Sequence, residues 1–346
     1  MSSGRATPVL TWVIGRGGLL GQSVERAIDE AMHHRTRGTQ ADVSGAIGGS
    51  ARHLWHPAAP IDWSSPGAGA EDLVRRAAEF LTQVGDRRWS VAWCAGAGVT
   101  STSAGALRLE LAALKETLDA LAVVPDGHKG AFFFASSAGG VYAGVGAPPY
   151  DEFSPVHPLA AYGQAKLDGE ALVTAWSQQT GTPSLIGRIA NVYGPGQNLG
   201  KAQGLISQIC RSHLTGQPLS VYVSLDTLRD YLFAPDCGKL IASGLVRLRR
   251  DEPTSEPNVV TKILASQRAI TIGAVLGEVR RIFKSQPRIV LGASAVAAVQ
   301  ARDLSLRSRV WPDLDRVSLT PFPVGVATTA ADLLRHLQVG TAGGLS

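Results

Sequence analysis

The sequence predicts an α/β protein built on a parallel sheet with helices covering both faces. Three observations carry that prediction. Strand-like and helix-like stretches alternate through the first half of the chain. Several of the strands read as buried apolar runs, the pattern of strands covered on both faces. The first strand-to-helix turn holds four glycines, at 15, 17, 18 and 21.

Taken in order, "PVLTWVIG" is a buried strand and "LLGQSVERAIDEAMHH" has apolar residues at helical spacing. "RTRGTQADVSGAIGGS", Arg35 to Ser50, is polar and Gly-rich and predicts a loop or irregular insertion. "ARHLWH" is a short second strand, and Asp62 is placed in a further strand. "EDLVRRAAEFLTQVG" is helical, and "WSVAWCAGAG" is then the fourth strand, ending in small residues. "ALRLELAALKETLDALAVV" is a long amphipathic helix and "GAFFFASSAGG" a buried strand. "AAYGQAKLDGEALVTAWSQQTG" is a helix closed by Gly181, and "SLIGRIANV" is one more strand. After Val192 the alternation fades: "NVYGPGQNLGKAQG" is loop-like, "GLISQICRSHL" a helix, "LSVYV" a strand, and Ala269 to Leu337 mixes helices and loops in a smaller second domain.

Composition bounds the function. The chain has 346 residues, 45% hydrophobic and 18% charged, enough for a large core and about two domains. No apolar stretch has the length of a membrane span, and the first residues lack the apolar region of a signal peptide, so a cytoplasmic protein is expected. Cys94, Cys210 and Cys237 are far apart, form no CxxC pair, and read as buried free thiols and not as a metal site. The net charge of +5 is spread along the chain. Its densest cluster, Arg247 to Arg250, ends in Asp251-Glu252 and lacks interleaved aromatics, which argues against nucleic acid and for a solvated helix end.

Gly15, Gly18 and Gly21 stand between strand and helix at GxxGxxG spacing, with Gly17 as an extra. Glycines there let the chain turn, let backbone N–H groups approach a pyrophosphate, and let helix pack on strand. The helix start at Leu19, Leu20 and Gly21 would turn its positive end to the phosphates. A dinucleotide cradle is expected. An acidic residue about 20 positions on would mark NAD by holding the adenosine ribose. None is convincing: the second strand ends in Trp55-His56, Asp42 lies in the irregular stretch, and Arg16 stands inside the loop. A missing acid beside a cation leans the choice toward NADP.

"YGQAK" puts Tyr162 and Lys166 four apart on one helix face. An ammonium beside a phenol stabilises the phenolate, so such a tyrosine can act as acid or base on a substrate hydroxyl or carbonyl. Upstream, "FFFASSAGG" ends a strand in Ser136-Ser137, at the sheet edge where α/β proteins bind ligands.

These motifs, in this order, resemble the extended short-chain dehydrogenase/reductase family, the NAD(P)-dependent sugar epimerase/dehydratase group. The resemblance runs from "IGRGGLLG" through "CAGAG", "SSAGGVYAG", "YGQAK" and "RIANVYGPGQ" to "RDYLFAPD". It implies a Rossmann-like doubly wound sheet with a smaller C-terminal α/β substrate domain. The implied division is 8–190, with 228–262 returning to it, against 191–227 and 263–340. It makes Tyr162 the catalytic acid/base, Lys166 its partner and a ribose ligand, and Ser137 the residue that orients the substrate oxygen, with Ser136 as the alternative. Gly15, Arg16, Gly18, Leu19, Leu20, Gly21, Ala95, Gly96 and Ala97 would line the cofactor, NAD or NADP. Asn191 resembles a substrate-phosphate asparagine and Arg229 an arginine that pairs with a nucleotide pyrophosphate; Arg302 is a second candidate clamp. The helix before "FFFASS" and the helix carrying Tyr162 resemble the pair that forms a four-helix homodimer interface.

One departure from the family narrows the reaction. Members that remove water carry an Asp-Glu pair after the catalytic Thr/Ser, and here Ala138-Gly139 follow Ser137. The resemblance then implies an epimerase or a keto-sugar reductase acting on a nucleotide-linked sugar. An NADPH-dependent reductase of a non-sugar carbonyl compound and a non-catalytic NAD(P)-binding regulator are the alternatives.

Overall fold

The computed structural model describes residues 9–38, 53–63, 67–96, 98, 102–123, 129–197, 204–249, 258–292 and 301–342. In chain order the elements begin β1 (Val9–Ile14), α1 (Leu19–Gly38), β2 (Leu54–Trp55), α2 (Ala68–Val84), β3 (Arg88–Trp93), α3 (Ala104–Leu121), β4 (Phe132–Ser137), α4 (Ala138–Val141), α5 (Ala161–Thr180) and β5 (Ser184–Ile189). They continue β6 (Asn191–Tyr193), α6 (Leu205–Thr215), β7 (Leu219–Val221), β8 (Leu228–Arg229), β9 (Tyr231–Phe233), α7 (Ala234–Leu248), β10 (Val259–Leu264), β11 (Ile270–Thr271), α8 (Ile272–Phe283), β12 (Ile289–Leu291), β13 (Asp303–Leu304) and α9 (Phe322–Ala342). No helix among the described residues is long and apolar enough to cross a membrane.

The main sheet is parallel throughout, in the order β10-β5-β4-β3-β1-β2. Side chains alternate across each strand, so one strand feeds two cores. Leu10, Trp12 and Ile14 of β1 pack with α2, α3 and α5 through Leu73, Phe80, Leu114, Leu118 and Trp176. Val13 of the same strand packs on the other face with Val24 of α1 and with Leu240, Ile241 and Leu245 of α7. The sheet is therefore wound on both sides, as the alternating pattern predicts. β2 has only two residues, and an aromatic cluster supports it. Trp12 lies 5.2 Å edge-on to Trp55, and Phe80 lies 5.6 Å from Trp12 and 5.4 Å from Trp55. A third cluster gathers Tyr193, Ile206, Ile209, Tyr231, Phe233, Val275, Val326 and Leu333 from α6, α8, α9 and the β6–β9 pair.

Three sequence expectations are corrected. The expected strand at Asp62 is absent: 61–63 is irregular, and the Asp62 N–H is bonded to the Asp72 carboxylate at the start of α2. Pro60 stands on one side of that stretch and Pro66 on the other, so it is too short and too punctuated to add a strand. "WSVAWCAGAG" accordingly holds the third strand and not the fourth. Arg35–Gly38 continue α1 instead of opening a loop, while 39–50, with Asp42, lie outside the described residues. "SLIGRIANV" is two strands. The Ala190 N–H bonds the carbonyl of Leu264 in the main sheet, and the next N–H, Asn191, bonds Asp230 beside β9.

Candidate active site

The sheet order reverses between β1 and β3: the chain leaves β1 for β2 on one side and returns to β3 on the other. Such a switch point opens a crevice at the carboxyl ends of the strands. Both the glycine turn and the loop after β3 lie there. Gly15 has φ +89°, and a methyl on it would stand 2.5 Å from the Ala95 nitrogen. A methyl on Gly21 would stand 2.3 Å from the Gly15 carbonyl oxygen. Neither position tolerates a side chain, so the turn is held tight against both β3 and α1. The Gly18 N–H closes it on the Gly15 carbonyl at 2.9 Å, and α1 begins at Leu19. Gly17 faces open space, so its glycine is not demanded by packing. This cradle, with a helix N-terminus behind it, fits a dinucleotide pyrophosphate.

At the outer end of the cradle, Glu25 of α1 gathers two basic groups. His56, just past β2, contacts Glu25 Oε1 at 2.9 Å, and Arg16 Nε lies 3.5 Å from the same oxygen. Arg16 is exposed and Glu25 is not. At the inner end, Ala95 lines a cavity with Trp93, Leu107, Glu110, Tyr162 and Lys166. Gly96 adjoins it, and Ala97 lies outside the described residues.

Tyr162 and Lys166 project from the first turns of α5. Lys166 Nζ donates to the Ala135 carbonyl at 3.0 Å and lies 5.7 Å from the centre of the Tyr162 ring. Close backbone packing sets the ring in place. A methyl on Gly163 would stand 2.1 Å from the Gly140 oxygen, and one on Gly140 3.2 Å from Tyr162 Cε1. α4 therefore abuts the start of α5, beside the phenol. Ser137 caps α4: its Oγ accepts the Gly140 N–H at 3.2 Å, which leaves its own proton to donate.

Ser136 points elsewhere, which removes it as the alternative substrate residue. It is 4% exposed and donates to Glu170 Oε1 at 2.5 Å. The same carboxylate takes two bonds from Arg188, Nε at 3.0 Å and Nη2 at 2.7 Å, and Arg188 Nη1 donates to the Tyr142 hydroxyl at 2.8 Å. Burial alone would lower the Arg188 proton affinity; the two-pronged bond to Glu170 outweighs it and holds the guanidinium charged. Burial is also the main reason the Tyr142 hydroxyl is pushed above its ordinary value.

Three candidates come from the later segments. Asn191 is exposed, and its Nδ2 donates to the Asp230 carbonyl at 3.1 Å. That carbonyl directly follows Arg229, so the two candidates share one neighbourhood. Arg229 is 8% exposed, and burial lowers its proton affinity below that of a free guanidinium. Arg302 is not part of that buried group: its side chain is exposed and paired with Asp226. It lines a second cavity with Gly144, Val145, Tyr150 and Asp303, whose place against the 143–150 loop the sequence does not indicate.

Sequence reasoning missed Glu25 as the common partner of Arg16 and His56, and it missed Glu110. The second left a signal: a carboxylate within the apolar stripe Leu107, Leu111, Leu114 of a helix.

Comparison with known proteins agrees with this frame. Residues 74–259 match the model of the NAD dependent epimerase/dehydratase family, more than half of the chain, and the chain belongs to that family. It is 35% identical over 89 residues to dTDP-glucose 4,6-dehydratase of Haemophilus influenzae, a stretch covering 26% of this chain and 25% of that protein. It is 34% identical over 91 residues to dTDP-L-rhamnose 4-epimerase of Burkholderia thailandensis, 26% of this chain and 25% of that one. The chain thus spans only about a quarter of the length of these relatives in sequence. In structure it is similar to the UDP-glucose 4-epimerase of Thermus thermophilus, solved with NAD, with a TM-score of 0.69 and 18% identity over 94% of this chain and 99% of that one.

Proposed function

We propose that this chain transfers hydride on a nucleotide-linked sugar, as an epimerase or a keto-sugar reductase, without removing water. The observation that carries the reading is the convergence of the glycine cradle, the Tyr162–Lys166 pair and the Ser137 turn on one crevice. The nicotinamide, when bound, accepts or returns the hydride. Tyr162 Oη takes the proton of the sugar hydroxyl as it is oxidised, or gives one to the carbonyl as it is reduced. Ser137 donates a hydrogen bond to the same sugar oxygen. Lys166 favours the phenolate and holds the ribose hydroxyls. No carboxylate stands at 138 or 139, where a dehydratase would need its acid and base.

Arg229 and Asn191 are the diphosphate ligands in this reading. Asn191 is bonded to the carbonyl of Asp230, the residue after Arg229, and the fork of donors on a guanidinium suits a diphosphate. Residues 8–190 with 228–262 form the cofactor domain, and 191–227 with 263–340 the substrate side, which holds most of the third apolar cluster, with Tyr231 and Phe233 joining it from the returning segment.

The test is a panel of UDP- and dTDP-linked hexoses and 4-keto-hexoses, with products resolved by NMR. Conversion of a sugar to its epimer without net use of nicotinamide marks an epimerase. Stoichiometric use of NADPH on a keto-sugar marks a reductase, and a 4-keto-6-deoxy product overturns the reading. Arg229→Ala should raise the substrate KM by about tenfold or more. An unchanged KM would point to a carbonyl substrate without a nucleotide.

A further inference from the structure

The cavity beside Tyr162 contains an ionisable group that the reaction above leaves unused. Glu110 of α3 stands in line with Leu107 and Leu114, and all three border the cavity with Tyr162 and Lys166. Its carboxylate is aimed at the loop after β3. A methyl on Gly96 would stand 3.4 Å from Glu110 Oε2 and 3.8 Å from Lys166 Nζ. One on Gly98 would stand 3.3 Å from the same oxygen and 3.4 Å from Tyr162 Cδ2. Carboxylate, ammonium and phenol ring therefore converge on the same stretch of glycine backbone.

We propose that Glu110 is a positioning residue of the reaction centre, a carboxylate that faces the Lys166–Tyr162 pair across Gly96 and Gly98 and raises the proton affinity of the Tyr162 hydroxyl. The inference rests on the reading of Tyr162 as the acid/base. An ammonium nearby makes a phenol more acidic, and a carboxylate on another side opposes it. A group that must take a proton in one half of a reaction and return it in the other works best with its proton affinity near ambient pH.

Among the described residues, the other ionisable groups around Tyr162 are paired, neutral or exposed. On α5, Glu170 is engaged by Arg188 and Ser136. At the end of β3, burial holds the Cys94 thiol protonated. From the α4 side come Ser137, which does not ionise in this range, and Tyr142, bonded to Arg188. Arg108, the nearest cation along α3, is exposed.

The experiment is an NMR titration of the full chain labelled at tyrosine Cζ. The sequence has six tyrosines, and Tyr162→Phe assigns the signal. In Glu110→Gln the Tyr162 midpoint should fall by about one pH unit. In Glu110→Asp, which withdraws the carboxylate by one methylene, it should fall by less in the same direction. The acid limb of kcat/KM should move with the midpoint. A Tyr162 midpoint unmoved in a folded Glu110→Gln, judged by far-UV circular dichroism, overturns the proposal. Collapse of both variants also overturns it, by making Glu110 a structural residue. A midpoint that falls while the kcat/KM limb stays fixed supports the coupling and overturns the role of Tyr162 as the acid/base.

Discussion

Arg16 and His56 reach one carboxylate, Glu25, from the glycine loop and from the end of β2. A cofactor carrying a 2′-phosphate would draw both basic groups to itself, because a phosphate offers more charge and more acceptors than a shared carboxylate. Arg16→Ala should therefore weaken NADPH binding by about tenfold or more, the worth of one charged hydrogen bond, and leave NADH nearly unchanged. Titration of tryptophan fluorescence would read both affinities; an equal loss for the two cofactors would deny Arg16 any part in selecting them. Tyr162→Phe removes only the oxygen proposed to carry the proton, so kcat should fall about 10²- to 10⁴-fold while cofactor affinity and Tm hold. A variant with full activity would return the chain to the class of cofactor-binding regulators. The candidate site was legible at this scale wherever a motif is local. Tyr162 and Lys166 share a helix face by spacing alone. Ser136 and Ser137 could not be separated, because neighbouring strand residues point to opposite faces and the sequence does not say which face holds Glu170. Glu110 was visible as a charge out of place, but its partners come from other elements.

The helix that carries Tyr162 and Lys166 is fixed by its next turn. Glu170 follows Lys166 by four residues, and its carboxylate locks onto Arg188 of β5 with both charges about nine-tenths buried. Breaking such a pair strands a charge in the interior. Arg188→Met should cost about 3–5 kcal/mol in urea denaturation, whereas the double replacement of Glu170 and Arg188 by Met should recover much of it. A single-variant cost below about 1 kcal/mol would mean the pair does not hold α5 in place. The fold was legible at this scale where periodicity is strong and an end is marked, as at Gly181, whose φ of +72° ends α5. It failed where the apolar pattern runs on without punctuation. Ala190 and Asn191 sit in one such run, yet their N–H groups serve different sheets, and only tertiary pairing reveals the change. Arg35–Gly38 failed for the converse reason: Arg35, Thr36 and Arg37 are polar but hold no breaker, so the helix before them runs on as far as Gly38.

The whole molecule presents the outer faces of α3 and α5 side by side. On α5 the exposed residues recur at Ala161, Gln164, Asp168, Ala171 and Ala175, a three-four spacing that makes one stripe along the helix. On α3, Leu109 and Ala112 are exposed toward the same side of the sheet. The three alanines of this stripe, Ala161, Ala171 and Ala175, are small enough to let a second helix approach to within about 8–10 Å, so two copies related by a twofold axis could pack four helices together. We propose that the chain forms this homodimer. Ala171→Glu would put a long charged side chain in the middle of the stripe, facing its own symmetry mate. Sedimentation velocity on the unaltered chain should then give about twice the 36.2 kDa of one copy, and Ala171→Glu should sediment as a monomer with an unchanged circular dichroism spectrum. α5 also carries Tyr162, so the loss of its neighbour should lower Tm more than an exposed substitution elsewhere on the surface. An unaltered chain that stays monomeric at tens of micromolar would refute the dimer and leave this stripe as plain solvent-facing helix.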